Sequence, residues 1–105
     1  MVFLFYGLLV NSEPVGFSVI DNKPFINHKM KLKKGDMIYI FSDGYADQFG
    51  GPKGKKYMTT KFRKYLASIS HHSMEEQHEM LEQEFQRWKG DHDQIDDVCV
   101  MGVRV

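Results

Sequence analysis

Met37-Ile38-Tyr39-Ile40-Phe41-Ser42-Asp43-Gly44 is the stretch whose reading decides the fold of this chain. Its unbroken apolar run, mostly β-branched or aromatic, predicts a buried strand. The run ends in a hydroxyl, a carboxylate and a glycine, so the strand carries an acid at its tip, held by the core yet open to water. Asp-Gly is a frequent turn pair, and a glycine beside an acid also lets a ligand approach the backbone closely. A second acidic pair, Asp96-Asp97, stands before the last apolar run, 98–105. Adjacent carboxylates repel unless something positive lies nearby. If the two strands are neighbours, Asp43 and Asp96 make half of a cage for a hard divalent cation. If they are not, the first pair is a turn, and the second belongs to a solvated acidic loop with Asp91 and Asp93.

The rest of the chain gives these pairs a setting. Strands are predicted over 2–10, 16–20, 26–32 and 37–42, separated by turn chemistry at Asn11-Ser12-Glu13-Pro14, Asp21-Asn22-Lys23-Pro24 and Lys33-Lys34-Gly35-Asp36. Such short connections favour an antiparallel meander. Residues 49–57, with Gly50, Gly51, Pro52 and Gly54, have the composition of a long, flexible loop. A helix is predicted over 60–70, with Phe62, Tyr65, Leu66 and Ile69 on one face. A second is predicted over 74–89, opened by a capping box of Ser73 and Glu76 and closed at Gly90. Its inner stripe is Met74, Gln77, Leu81, Phe85 and Trp88, and Glu75, Glu79, Glu82 and Glu84 form a solvated surface. The expected class is α+β: antiparallel strands with two helices on one face and a closing strand that returns to the sheet.

Composition excludes several functions. The 105 residues suit a single domain, 1–105, and 42% hydrophobic with 27% charged residues is ordinary for a soluble globular protein. Lys and Arg number 14, as do Asp and Glu, so no charge-driven attraction to nucleic acid or to an anionic membrane is expected. Residues 1–10 are too short to span a bilayer and lack the basic start and cleavage site of a signal peptide. The one cysteine, Cys99, cannot form an internal disulfide. A reducing cytoplasm is therefore expected, with the thiol acting as a small buried hydrophobe.

Oxygen donors without a Cys or His cluster select Mg²⁺ or Mn²⁺ over Zn²⁺. Asp47, four residues beyond Asp43, is placed to bend back toward the same point. His28, His71, His72, His78 and His92 include no pair at the helical spacing of a zinc protease, and read as surface or packing residues. Gly50-Gly51-Pro52-Lys53-Gly54-Lys55 lacks the spacing of a P-loop, although Lys53, Lys55 and Lys56 would steer an anionic substrate.

These residues carry a resemblance. Leu32-Lys-Lys-Gly-Asp-Met-Ile-Tyr-Ile-Phe-Ser-Asp-Gly44 resembles the L-x-x-G-D-x-hydrophobic-S/T-D-G segment of metal-dependent serine/threonine phosphatases, the protein phosphatase 2C superfamily, in its bacterial SpoIIE-like branch. Asp96-Asp97 and the strand after it resemble that branch's closing D-D-hydrophobic strand, and Pro14-Val15-Gly16 resembles its P-hydrophobic-G step. Asp47-Gln48-Phe49-Gly50-Gly51 looks like a variant found where such domains close multidomain bacterial signalling proteins. The resemblance covers about residues 12–105 and implies part of an α-β-β-α sandwich with a metal centre at the edge of its sheets.

By position, Asp43 and Asp96 match the family's metal-binding aspartates and Gly44 its following glycine. Asp97 falls in a second layer, and Asp47 where some relatives touch an additional metal. The implied reaction is hydrolysis of phosphoserine or phosphothreonine on a bacterial signalling protein, with two Mg²⁺ or Mn²⁺ ions in the intact domain. The family's upstream Asp-Gly metal-bridging motif has no match before Asp43. The chain therefore resembles the C-terminal half of a catalytic domain, and alone should be inactive or weak. The alternative is a non-catalytic binding or dimerisation module: half a sandwich leaves apolar sheet surface and strand edges free to pair, for instance as a homodimer.

Overall fold

In the computed structural model the described residues are 2–7 and 18–21, as backbone strands, and 32–105 in full. The predicted strand at 26–32 lies outside them except for Leu32, which is irregular, and the Pro14-Val15-Gly16 step lies outside them altogether. In chain order the elements are β1 (Val2–Gly7), β2 (Ser18–Asp21), β3 (Met37–Phe41), β4 (Phe49–Gly50), β5 (Lys55–Lys56), α1 (Thr59–Ile69), α2 (Met74–Lys89) and β6 (Cys99–Arg104).

The class is α+β. β3 and β6 run antiparallel, with Tyr39 opposite Gly102 and Phe41 opposite Val100. The main sheet has the order β1-β6-β3-β2, so the closing strand returns between the front strands. The meander is corrected here: β2 pairs with β3, and β1 with β6, in parallel. A parallel pair needs a connection of about a dozen residues or more, and the segment between Asp21 and Met37 is long enough to make one.

Alternation along β3 sorts its side chains. Met37, Tyr39 and Phe41 are buried and join Val98, Val100, Phe62, Leu66, Ile69, Leu81 and Phe85 in one core. Each such side chain taken out of water contributes roughly 1.5–3 kcal/mol. Aromatic edges add to this: the Phe41 and Phe62 rings lie edge-on at 4.8 Å, and Tyr45 and Phe62 stack at 4.4 Å.

The helices follow the predicted faces. In α1 Phe62, Leu66 and Ile69 are buried, and in α2 Gln77, Leu81 and Phe85. The Ser73 side chain accepts from the Glu76 N–H at 3.2 Å, and Gly90 ends α2. The start of α1 has no side-chain cap; the Met58 N–H instead donates to the Ala46 carbonyl at 2.8 Å, which ties the helix to the turn after β3.

The reading of 49–57 as a long flexible loop is also corrected. β4 and β5 form a short antiparallel hairpin, and Tyr57 beyond it is 1% exposed. Gly50 packs so tightly that a β-carbon there would lie 1.9 Å from the Trp88 carbonyl oxygen. Packing against α2 orders a segment whose glycines alone suggest mobility. Among the described residues no helix is long and apolar enough to cross a membrane.

Candidate functional site

The site begins where β3 ends. Its core-facing alternation delivers Phe41 inward, and residues 43–47 form a turn in which the Asp47 N–H donates to the Asp43 carbonyl at 2.9 Å. Tyr45 anchors that turn: it is fully buried, and its hydroxyl donates to the Leu81 carbonyl at 2.7 Å. Asp43 itself remains exposed. The expectation of an acid held by the core and open to water thus matches its placement.

The second acidic pair arrives at the same edge through the β3–β6 ladder. The Ser42 N–H donates to the Cys99 carbonyl at 3.0 Å, and the Cys99 N–H donates to Ser42 Oγ at 3.1 Å. A β-carbon on Gly44 would sit 2.1 Å from the Asp97 carbonyl oxygen and 3.2 Å from the Val98 Cα. The glycine is needed for close approach; it is not among the residues with positive φ. The two acidic segments are therefore in backbone contact, which sequence spacing could not decide.

Asp96 and Asp97 are exposed. Asp96 Oδ1 accepts the Asp97 N–H at 2.8 Å, and Gln94 Nε2 donates to the Asp96 carbonyl at 3.0 Å. Gln94, Ile95, Asp96 and Asp97 line a shallow depression of about 300 Å³. Asp47 is drawn away from a purely acidic cluster by Lys56, whose Nζ lies 3.7 Å from its carboxylate. Lys53, Lys55 and Lys56 are all exposed on the hairpin.

The donor chemistry at this edge is carboxylate, hydroxyl and carbonyl oxygen, which suits a hard cation such as Mg²⁺, an ion that takes one or two carboxylates and keeps water. The set is partial: among the described residues no group of three or more His, Cys, Asp or Glu side chains is placed to hold a metal.

Cys99 corrects an expectation, because its side chain is exposed rather than buried. It opens β6 on the face opposite Val100, away from the core. His72 bonds Glu76 at 2.7 Å on the surface, in keeping with its reading as a surface residue.

The sequence named Gln48 within a family-like segment and gave it no role of its own. This residue is fully buried. Its Nε2 donates to the Phe49 carbonyl at 3.0 Å and the Asp93 carbonyl at 2.8 Å, and its own carbonyl accepts Trp88 Nε1–H at 2.9 Å. Apart from its place in that segment, the residue shows in sequence just a long amide between an acid and an aromatic, which also describes many exposed turns.

The comparisons with known proteins agree with this fold. The family described as Stage II sporulation protein E (SpoIIE) matches residues 8–105, and the chain belongs to that family of phosphatases of the protein phosphatase 2C type. Among solved structures, the chain is similar to the SiaA-PP2C domain of Pseudomonas aeruginosa, with 28% identity and a TM-score of 0.64. The likeness covers 66% of this chain and 28% of that one, so this chain spans under a third of the length of the neighbour. A comparison with curated proteins finds no match.

Proposed function

We propose that this chain forms one wall of the metal-dependent active site of a protein phosphatase, with Asp43 and Asp96 each giving a carboxylate to Mg²⁺ or Mn²⁺. The observation that carries this reading is the backbone contact between Gly44 and Asp97, which fixes the two acidic segments at one edge. A divalent ion bound there would supply Lewis-acid stabilisation for phosphate-ester hydrolysis.

The remaining work belongs to the chain itself. Tyr45 and Leu81 hold the Asp43 turn, and Ser42 locks it to β6. Asp97 would stand in a second layer and Asp47 near an additional metal, with Lys56 3.7 Å from the Asp47 carboxylate. Lys53 and Lys55 leave positive charge at the surface to draw an anionic substrate. The substrate class is phosphoserine or phosphothreonine on a bacterial signalling protein in the cytoplasm. With a partial set of carboxylates, the 105-residue chain alone binds metal weakly and turns over phosphopeptide barely or not at all. Mn²⁺ titration and a phosphopeptide assay on the purified chain test both halves. Metal-dependent turnover at rates ordinary for enzymes, about 1–10³ s⁻¹, would overturn the claim of inactivity.

A second reading, self-association through the sheet, rests on a different observation. Ile38 pairs with Val103 and Ile40 with Met101 across the antiparallel ladder, on the face away from the helices, and Ile40 is 42% exposed. Such an apolar face favours a covering partner, and light scattering that returned only monomer would count against a homodimer.

A further inference from the structure

The segment 91–97 carries Asp96 and Asp97, and every residue in it is exposed. An exposed acidic loop gains little from packing, so hydrogen bonds from outside decide its position. At its far end it is held by Ser42 Oγ, 3.4 Å from the Asp97 carbonyl, and by the Gly44 contact. At its near end Gln48 reaches across the chain to the Asp93 carbonyl at 2.8 Å.

Gln48 is unusual in how it is spent. Both N–H bonds of its buried amide go to carbonyls, of Phe49 and Asp93, and its Oε1 is buried without a partner among the described residues. A buried unpaired acceptor is costly, and a flipped amide would set Oε1 against two carbonyl oxygens. Its backbone is held as well, by Trp88 Nε1–H, while the Gly51 N–H caps the Trp88 carbonyl at 2.9 Å. The side chain therefore stands on a rigid base formed by the hairpin and the end of α2.

We propose that Gln48 is a positioning residue that fixes the acidic loop, and so places Asp96 opposite Asp43. This rests on the metal reading for its consequence, though not for its geometry. The Gln48 donor bridges the turn that carries Asp43 to the loop that carries Asp96. It couples the two candidate ligands on the side away from the Ser42 lock.

Gln48→Met keeps the volume, removes both donors and also removes the orphaned oxygen. Hydrogen exchange read by NMR should then show the His92 and Asp97 amides, which donate to the Lys89 carbonyl and to Asp96 Oδ1, exchanging about five- to tenfold faster, with the buried amides of α2 unchanged. Mn²⁺ affinity should fall roughly tenfold. Asp93→Ala keeps the accepting carbonyl and should leave loop exchange as in the unchanged protein. Wild-type exchange at His92 and Asp97 in Gln48→Met would overturn the proposal, as would a uniform rise across α2, which marks a purely structural role. In the unchanged protein, a scalar coupling across the hydrogen bond from Gln48 Nε2 to the Asp93 carbonyl carbon is expected. Its absence overturns the proposal even if the variant does not fold. If the unchanged chain binds no Mn²⁺, the metal reading fails, and the exchange pattern alone decides the role of Gln48.

Discussion

Gly44 and Asp97 lie so close that a β-carbon on the glycine would stand 2.1 Å from the aspartate carbonyl oxygen. That contact is between backbones, and no flexible side chain is available to give way. Gly44→Ala must therefore push the turn after β3 from the segment that leads into β6. Overpacking of this kind costs about 1–3 kcal/mol. Thermal or urea unfolding should show the loss, and Mn²⁺ binding should weaken with it. Wild-type stability in Gly44→Ala would show that the two segments are not in contact.

The Tyr57–Glu84–Arg87 group predicts an acid-sensitive stability. Tyr57 donates to Glu84 at 2.7 Å and Arg87 Nε bonds Glu84 at 2.6 Å. Burial alone would raise the Glu84 carboxyl, but the Arg87 and Tyr57 hydrogen bonds outweigh it and hold the group below the ordinary carboxylate range. A folded pKa below the unfolded one gives stability that is present above about pH 4.3 and lost as pH falls through the folded value. Chemical denaturation between neutral pH and pH 3 should show this decline, and Glu84→Gln should make it shallower. Equal slopes in both proteins would remove Glu84 from the group.

Cys99 should react readily with a thiol reagent under native conditions, because its side chain is exposed. It lies on the same outward face of β6 as Met101 and Val103. Covering of that face by a second copy would slow the reaction as protein concentration rises. A rate independent of concentration, together with a monomer by light scattering, would dismiss self-association through this face.

How far the sequence could be read follows from which interactions are local. The helix faces and the Ser73 cap depend on residues three and four apart, and they lie where periodicity places them. β3 and β6 were legible as apolar runs, and their acidic ends as candidates. Strand pairing was not legible, because parallel and antiparallel partners present the same alternation; the β2–β3 direction was therefore misread. The hairpin at 49–56 was hidden for a related reason. Its order comes from Trp88, far away in sequence, closing on Gly50 and Gly51. Cys99 was misplaced because an apolar run does not reveal which of its members faces outward from the sheet. The role of Gln48 was missed because its partner carbonyl belongs to Asp93 and is set by the fold alone.

The most direct test of Asp43 and Asp96 as metal ligands is a Mn²⁺ titration of the chain and of Asp43→Asn and Asp96→Asn, followed by calorimetry or by electron paramagnetic resonance of free Mn²⁺. Both aspartates are exposed, so each substitution should leave the melting temperature close to that of the unchanged protein. The expected result is weak binding by the unchanged chain, reduced at least about tenfold in each variant, since a carboxylate that touches the ion should matter no less than its supporting partners. Equal Mn²⁺ binding in all three proteins, or none in the unchanged one, would contradict the assignment.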